Sequence, residues 1–325
     1  AITATALVLC LRHGAPIGLI GMAGGFLTPA LLSEGGGNAF SLFIYLYFTA
    51  SGLLIVIRKT KLWWLSIPTI LLSLGWVIVW IFSNRYTPSD SIWLILFLTG
   101  ISATIIIHSR DQFESDFTNA KGYQGIFKIS SILNYIGLGG TLMMMGLVAG
   151  KAGYGTMEWS LFCLLAMATI GLAYFNVKLY GFTPWIAMAV NCVMLMTWNY
   201  ETTQVFVIVV SLLSAIYIAL PYCFLIQKRT PLLWGSLLAT ASLMLYMIAY
   251  YKLTQEDTIM PFVHFWGMLA IIITFMMIHI LFKIHDMRPP EGLQDKLYAI
   301  FSVAATSFSS IGIFIECEGE FLSVA

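Results

Sequence analysis

One pattern dominates this sequence: runs of about 20 predominantly apolar residues, each ended by a brief charged or Pro/Gly-containing turn, which is the length an α-helix needs to cross the hydrocarbon core of a bilayer. The runs fall at 14–32, 38–57, 62–83, 91–108, 129–149, 157–177, 180–198, 203–226, 231–251, 260–283 and 296–315, and residues 1–10 read as the tail of another. No room exists between them for soluble domains. The expected fold is therefore all-α, a polytopic transmembrane helical bundle of about 11–12 spans arranged as antiparallel helical hairpins, with 1–325 as one transmembrane region.

The placement of basic residues supports this segmentation. Numbering the segments from 1–10, loops after odd segments hold Arg12, Arg58, Lys59, Lys61, Arg110, Lys121, Lys128, Lys178, Lys228, Arg229, Lys283, Arg288 and Lys296. Loops after even segments hold only Arg85, Lys151 and Lys252. The positive-inside rule then makes the loops at 11–13, 58–61, 109–128, 178–180, 227–230 and 284–295 cytoplasmic. The two longest, Ser109–Lys128 and Ile284–Asp295, are both on that side. Trp63, Trp64, Trp93, Trp159, Trp185, Trp198 and Trp234 lie near span ends, where an interfacial aromatic belt is expected. The chain opens in apolar sequence and stops at Glu320-Phe-Leu-Ser-Val-Ala325, so it is expected to be a piece of a longer protein.

Composition narrows the function classes. Hydrophobic residues make up 59% and charged residues 10%, too little polar surface for a water-soluble domain. A net charge of +1 gives no nucleic-acid footprint. The five cysteines have no paired spacing, and the five histidines form no HxxxH or HExxH pattern, so no metal and no cofactor are expected. All charged residues sit at or near span ends. An ionisable residue at membrane depth is the usual mark of an ion or proton path, and its absence argues against that chemistry here.

Weak internal repeats are visible. Residues 39–111 resemble 205–286, with Arg58-Lys-Thr-Lys-Leu-Trp-Trp64 matching Lys228-Arg-Thr-Pro-Leu-Leu-Trp234 in the same orientation, and a fainter copy runs through 160–200. They read as parallel quasi-repeats of a helix, a basic turn, an aromatic anchor and a second helix.

The most distinctive stretch is Gly21–Asn38. Gly14, Gly18, Gly21 and Gly25 mark a small-residue stripe that lets a neighbouring helix backbone approach closely. Thr28-Pro29 is expected to interrupt the helix, with Pro29 freeing a backbone carbonyl and Thr28 Oγ satisfying a nearby one. Ser33-Glu-Gly-Gly-Gly-Asn38 follows as a loop. Two readings are open: tight packing followed by a reversal, or a kinked helix and outer loop lining a substrate entry. The second makes Gly21, Gly25, Thr28, Pro29, Glu34 and Asn38 candidate binding residues. Asn191, the deepest strongly polar residue, should hydrogen-bond to a neighbouring helix and is a further candidate contact.

The pattern GGFxTPxLLSxGxGN within 24–38, with Leu42-Phe-Ile-Tyr45 and the basic-aromatic turn Arg58–Trp64, resembles a bacterial family of predicted membrane proteins, domain of unknown function 2339. The resemblance implies a polytopic protein of a bacterial inner membrane, with further segments on both sides, and implies no chemistry. Many spans, short loops, Gly-rich stripes and no buried charge point to transport or handling of a lipid or lipid-linked envelope precursor, with membrane lipids as partners. A membrane-embedded glycosyl-transferring enzyme using Glu34 and a second outer carboxylate is the alternative. A structural scaffold is the third reading. Catalytic residues and oligomeric state are not legible.

Overall fold

The computed structural model describes residues 15–32, 38–60, 63–119, 134–227, 230–254, 263–287 and 290–316. Among these, every regular element is helical. In chain order they are α1 (Ala15–Leu32), α2 (Ala39–Thr60), α3 (Ser66–Ile81), α4 (Ser91–Asn119), α5 (Gly140–Ala152), α6 (Thr156–Phe175), the single turn α7 (Val177–Tyr180), α8 (Thr183–Thr197), α9 (Thr203–Ser214), α10 (Leu220–Ile226), α11 (Pro231–Thr254), α12 (Val263–Met287) and α13 (Glu291–Glu316). Eight helical stretches among the described residues are long and apolar enough to cross a membrane. Other expected spans fall on shorter apolar helices, α1 and α3, and on the helix through 134–152.

The lipid-facing surface confirms the class. Leu31, Phe48, Phe175, Phe275, Phe282 and Phe314 are all more than two-thirds exposed. A water-soluble monomer does not leave so many large apolar side chains this exposed. Inside the helices, many hydroxyls are satisfied locally: Thr69 Oγ1 donates to the Leu65 carbonyl at 2.8 Å, Ser73 to Thr69 at 2.8 Å and Ser242 to Leu238 at 2.8 Å. In hydrocarbon no water is available to do this.

Charge ends a membrane span without ending a helix, so two expected loops are corrected on that ground, and a third is a helical turn of its own. α4 continues through 109–119, and its 29 residues give a rod about 43 Å long against a hydrocarbon core of about 30 Å. Arg, Asp, Gln and Glu in that segment are tolerated by a helix once it has left the lipid. The expected loop at 284–295 shrinks likewise, because α12 runs to Met287 and α13 starts at Glu291. The Pro290 carbonyl accepts from Leu293 and Gln294 at 2.9 and 3.0 Å, starting the next helix at once. Residues 178–180 form the turn α7, capped by Asn176, whose Oδ1 accepts from the Leu179 amide at 3.2 Å.

The chain divides into two compact units, one taking in residues up to Glu158 with Leu172–Val190, the other Trp159–Gly171 with Asn191 onward. In the first unit, Phe43, Leu46, Ala50, Leu53 and Ile57 form a buried stripe on α2 at helical spacing. It packs on α4, where the Phe43 and Phe97 rings lie 5.1 Å apart and the Phe40 and Trp93 rings 4.5 Å apart. Glycines sit where helices come closest: a Cβ on Gly100 would meet the Tyr47 ring at 2.7 Å, and one on Gly140 would meet Leu74 at 2.7 Å. Ser66 Oγ and His108 Nε2 are 2.9 Å apart in the buried interior, joining α3 to α4.

In the second unit α11 is the central element, with Trp234, Leu237, Leu238, Ala241 and Leu245 buried. α12 and α13 pair extensively, and Gly267 and Gly312 face one another across the pair. There a Cβ on Gly312 would lie 3.3 Å from the Gly267 carbonyl oxygen. Tyr246 donates to the Trp266 carbonyl at 2.8 Å, tying α11 to α12.

Two helices carry π-bulges, at Tyr135–Gly139 and Ala215–Ala219. The second has a visible cause. Pro221 has no N–H to give the Tyr217 carbonyl four residues back, and widening the turn changes the partner. The aromatic belt is corrected in part: Trp64 and Trp93 are exposed, whereas Trp159, Trp198 and Trp234 are buried. Trp159 and Trp198 pack ring to ring with centroids 4.8 Å apart.

Candidate functional site

α1 does not break at Thr28-Pro29. It runs unbroken from Ala15 to Leu32 with Pro29 inside it. Pro29 removes the donor that would bind the Gly25 carbonyl, and Tyr45 on α2 supplies a replacement, its hydroxyl donating to that carbonyl at 3.0 Å. Trp76 on α3 donates its indole N–H to the next carbonyl, Phe26, at 3.0 Å. Thr28 Oγ1 donates to Gly24 within α1. The helix survives its proline because three side chains, two from neighbouring helices, satisfy the backbone around it.

This substitution of partners leaves a groove. Its volume is about 530 Å³, within the range of small-molecule sites. α1 contributes Thr28, Pro29 and Ala30, α2 contributes Leu42 and Tyr45, and α3 contributes Trp76, Val79 and Trp80. Ser83 and Arg85, in the turn after α3, close one end. Leu27, Leu31 and Val79 beside it are more than half exposed, so its flank is a lipid-facing one.

Most polar groups in the lining already have partners. Ser41 Oγ donates to the Asn38 carbonyl at 2.9 Å and Ser83 Oγ to the Trp80 carbonyl at 2.7 Å. The Trp80 indole donates to Asp90 Oδ2 at 3.3 Å, and the same oxygen accepts from the Thr87 amide at 3.0 Å, in the capping box that opens the turn Pro88–Asp90. Glu158 accepts from Ser91 at 3.3 Å. Burial, then the negative charges of Asp90 and Glu158, push the Tyr86 phenol up from its ordinary range. Among the described residues the Arg85 guanidinium donates to no protein acceptor and pairs with no carboxylate. One further cation stands by: Lys151 Nζ lies 5.5 Å from the centre of the Phe82 ring, in the turn that carries Arg85.

The residues singled out from sequence separate. Thr28 and Pro29 line the groove, and the Gly25 carbonyl is held behind it. Gly21 is buried on the packed face of α1, beside Met22, whose sulfur accepts from Thr69 Oγ1 at 3.6 Å. Asn38 is exposed and starts α2, its side chain accepting from the Phe40 amide at 3.2 Å. Glu34 lies outside the described residues, and so does any convergence of it with a second carboxylate. Asn191 belongs to the second unit. It is buried and donates from Nδ2 to the Tyr217 hydroxyl at 2.9 Å, at the π-bulge, while its Oδ1 has no partner among the described residues. Among the described residues no three His, Cys, Asp or Glu side chains gather to hold a metal.

Tyr45, Trp76, Trp80 and Arg85 were not legible as site residues. A signal existed for three of them: Trp76 and Trp80 lie one helical turn apart, and Arg85 is one of only three basic residues on its side of the segmentation.

Searches among curated proteins and among solved structures returned no match. A family profile for predicted membrane proteins, domain of unknown function 2339, matches residues 1–325, and with its apolar helices, its lipid-facing surface and this match this chain belongs to that family.

Proposed function

We propose that the first unit takes the apolar portion of a lipid or lipid-linked amphiphile from the bilayer and holds it in the groove beside Pro29. The observation that carries this reading is the groove itself: apolar walls, a lipid-facing flank and one guanidinium at its end. An ion path would need ionisable groups at depth, whereas an amphiphile needs an apolar slot that ends at a polar rim. The segregation of basic residues favours the Arg85 end being external and the protein residing in a bacterial cytoplasmic membrane. Transport or presentation of an envelope lipid fits this arrangement.

Val79→Trp tests the reading, because Val79 lines the groove and is 59% exposed, so a larger side chain fills the groove without crowding the core. Native mass spectrometry of the gently extracted protein should show a lipid retained by the parent chain and lost from the variant. Equal retention by both would remove the groove as the binding site.

A further inference from the structure

The groove has a polar end, and its partners there identify what it would hold. Around the rim, the hydroxyls of Thr28, Ser41 and Ser83 donate to backbone carbonyls, the Tyr45 hydroxyl to Gly25, and the two indole N–H groups to Phe26 and Asp90. A headgroup acceptor would find these donors already committed, while the hydroxyl oxygens keep lone pairs for a headgroup donor. The guanidinium of Arg85 is different. It lines the groove, and among the described residues its donors go to no protein group. Its planar fork matches an oxyanion that offers two acceptor oxygens. Asp90, the nearest carboxylate in sequence, is engaged by the Trp80 indole and the Thr87 amide. A second cation stands over the same turn, Lys151 on the Phe82 ring. Arg85 in the lining, with Lys151 over the Phe82 ring of the same turn, suits a headgroup with more than one negative charge. A phosphate monoester carries roughly −1.5 to −2 at neutral pH, and a carboxylate only −1.

We propose that the groove selects amphiphiles with a phosphate-ester headgroup, with Arg85 as the residue that reads the charge and Lys151 as the supporting cation. This rests on the groove being an amphiphile site, and the two claims are separable by experiment.

The purified 325-residue chain in detergent is titrated, by native mass spectrometry, with phosphatidic acid and with diacylglycerol of identical acyl chains, and separately with inorganic phosphate. The parent chain should prefer phosphatidic acid by about tenfold or more, the fold-change a charge-assisted hydrogen bond is worth. Arg85→Gln should abolish the preference while diacylglycerol binding persists. Arg85→Lys should keep part of it, and Lys151→Gln should reduce it. Both residues are exposed, so unchanged melting temperatures verify the fold. Equal binding of the two lipids, unmoved by Arg85→Gln but blocked by Val79→Trp, overturns the headgroup assignment and leaves the groove standing. Failure of both lipids to bind the parent chain sinks both claims. Inorganic phosphate that binds through Arg85 equally well in Val79→Trp marks a soluble-anion site and overturns the lipid assignment.

Discussion

Removing the Tyr45 hydroxyl should cost stability only while Pro29 is present. In the parent chain Tyr45→Phe leaves the Gly25 carbonyl without a donor, because Pro29 has no N–H to offer and the bond from Tyr45 is the replacement at 3.0 Å. Interhelical hydrogen bonds in membrane proteins average about 0.6 kcal/mol and reach about 1.7, and a buried acceptor left unpaired lies toward the upper part of that range. A loss of about 1–1.5 kcal/mol is expected on these figures. Pro29→Ala restores an N–H to the Gly25 carbonyl, so in that background Tyr45→Phe should be nearly silent. The coupling between the two substitutions should then be about 1 kcal/mol, well above the few tenths by which independent sites depart from additivity. Equilibrium unfolding of the parent, the two single variants and the double variant in mixed micelles, by denaturing detergent, measures it. A Tyr45→Phe cost that is the same in the parent chain and in the Pro29→Ala background would refute the account of how α1 keeps its proline.

Three further outcomes follow from the packing. Gly312→Ala should destabilise the α12–α13 pair by about 1–3 kcal/mol, because its neighbour at 3.3 Å is backbone and cannot yield, whereas Gly24→Ala, with nothing within 4 Å, should be neutral or stabilising by up to about 1 kcal/mol; the same unfolding assay compares them. Tyr217→Phe should cost about 0.6–1.7 kcal/mol by stranding Asn191 Nδ2, while Asn191→Leu, which removes the half-satisfied amide altogether, should cost less; the reverse order would refute the pairing. The phenol of Tyr86 is raised from 10.0, so its contribution is fully present below pH 10 and is lost as pH climbs through the higher folded value; alkaline unfolding should therefore be shallower in Tyr86→Phe, and an unchanged alkaline limb would refute it.

Hydrophobicity reports depth in a membrane, and this decides what is legible. The spans can be read because each needs its own uninterrupted apolar run. Residues 109–119 mislead because charge there marks the bilayer boundary, and the α4 backbone continues past it. The buried tryptophans mislead for a related reason: Trp198 and Trp234 lie near span ends, and position along a helix does not say which side of it faces lipid. At the groove, Pro29 announces that a carbonyl will be freed. Its new partner, Tyr45, depends on which helices lie alongside α1, and lateral neighbours leave no periodic signal in one chain. Asn191 shows the same limit. Its depth demands a hydrogen bond, but Tyr217 reaches it from the wide turn beside Pro221.

That wide turn has a consequence for how the span tolerates change over generations. A π-bulge holds one residue more than the α-helix it interrupts, and one residue is about 100° of rotation at 3.6 residues per turn. α10 is therefore rotated about the helix axis relative to where an uninterrupted continuation of α9 would place it, so Leu225 reaches the interior from a different angular sector than Phe206 and Leu213 would dictate. Relatives that differ by a single insertion or deletion between Ala215 and Ala219 can absorb it there as a change of helical phase, keeping both halves of the span packed on their own neighbours.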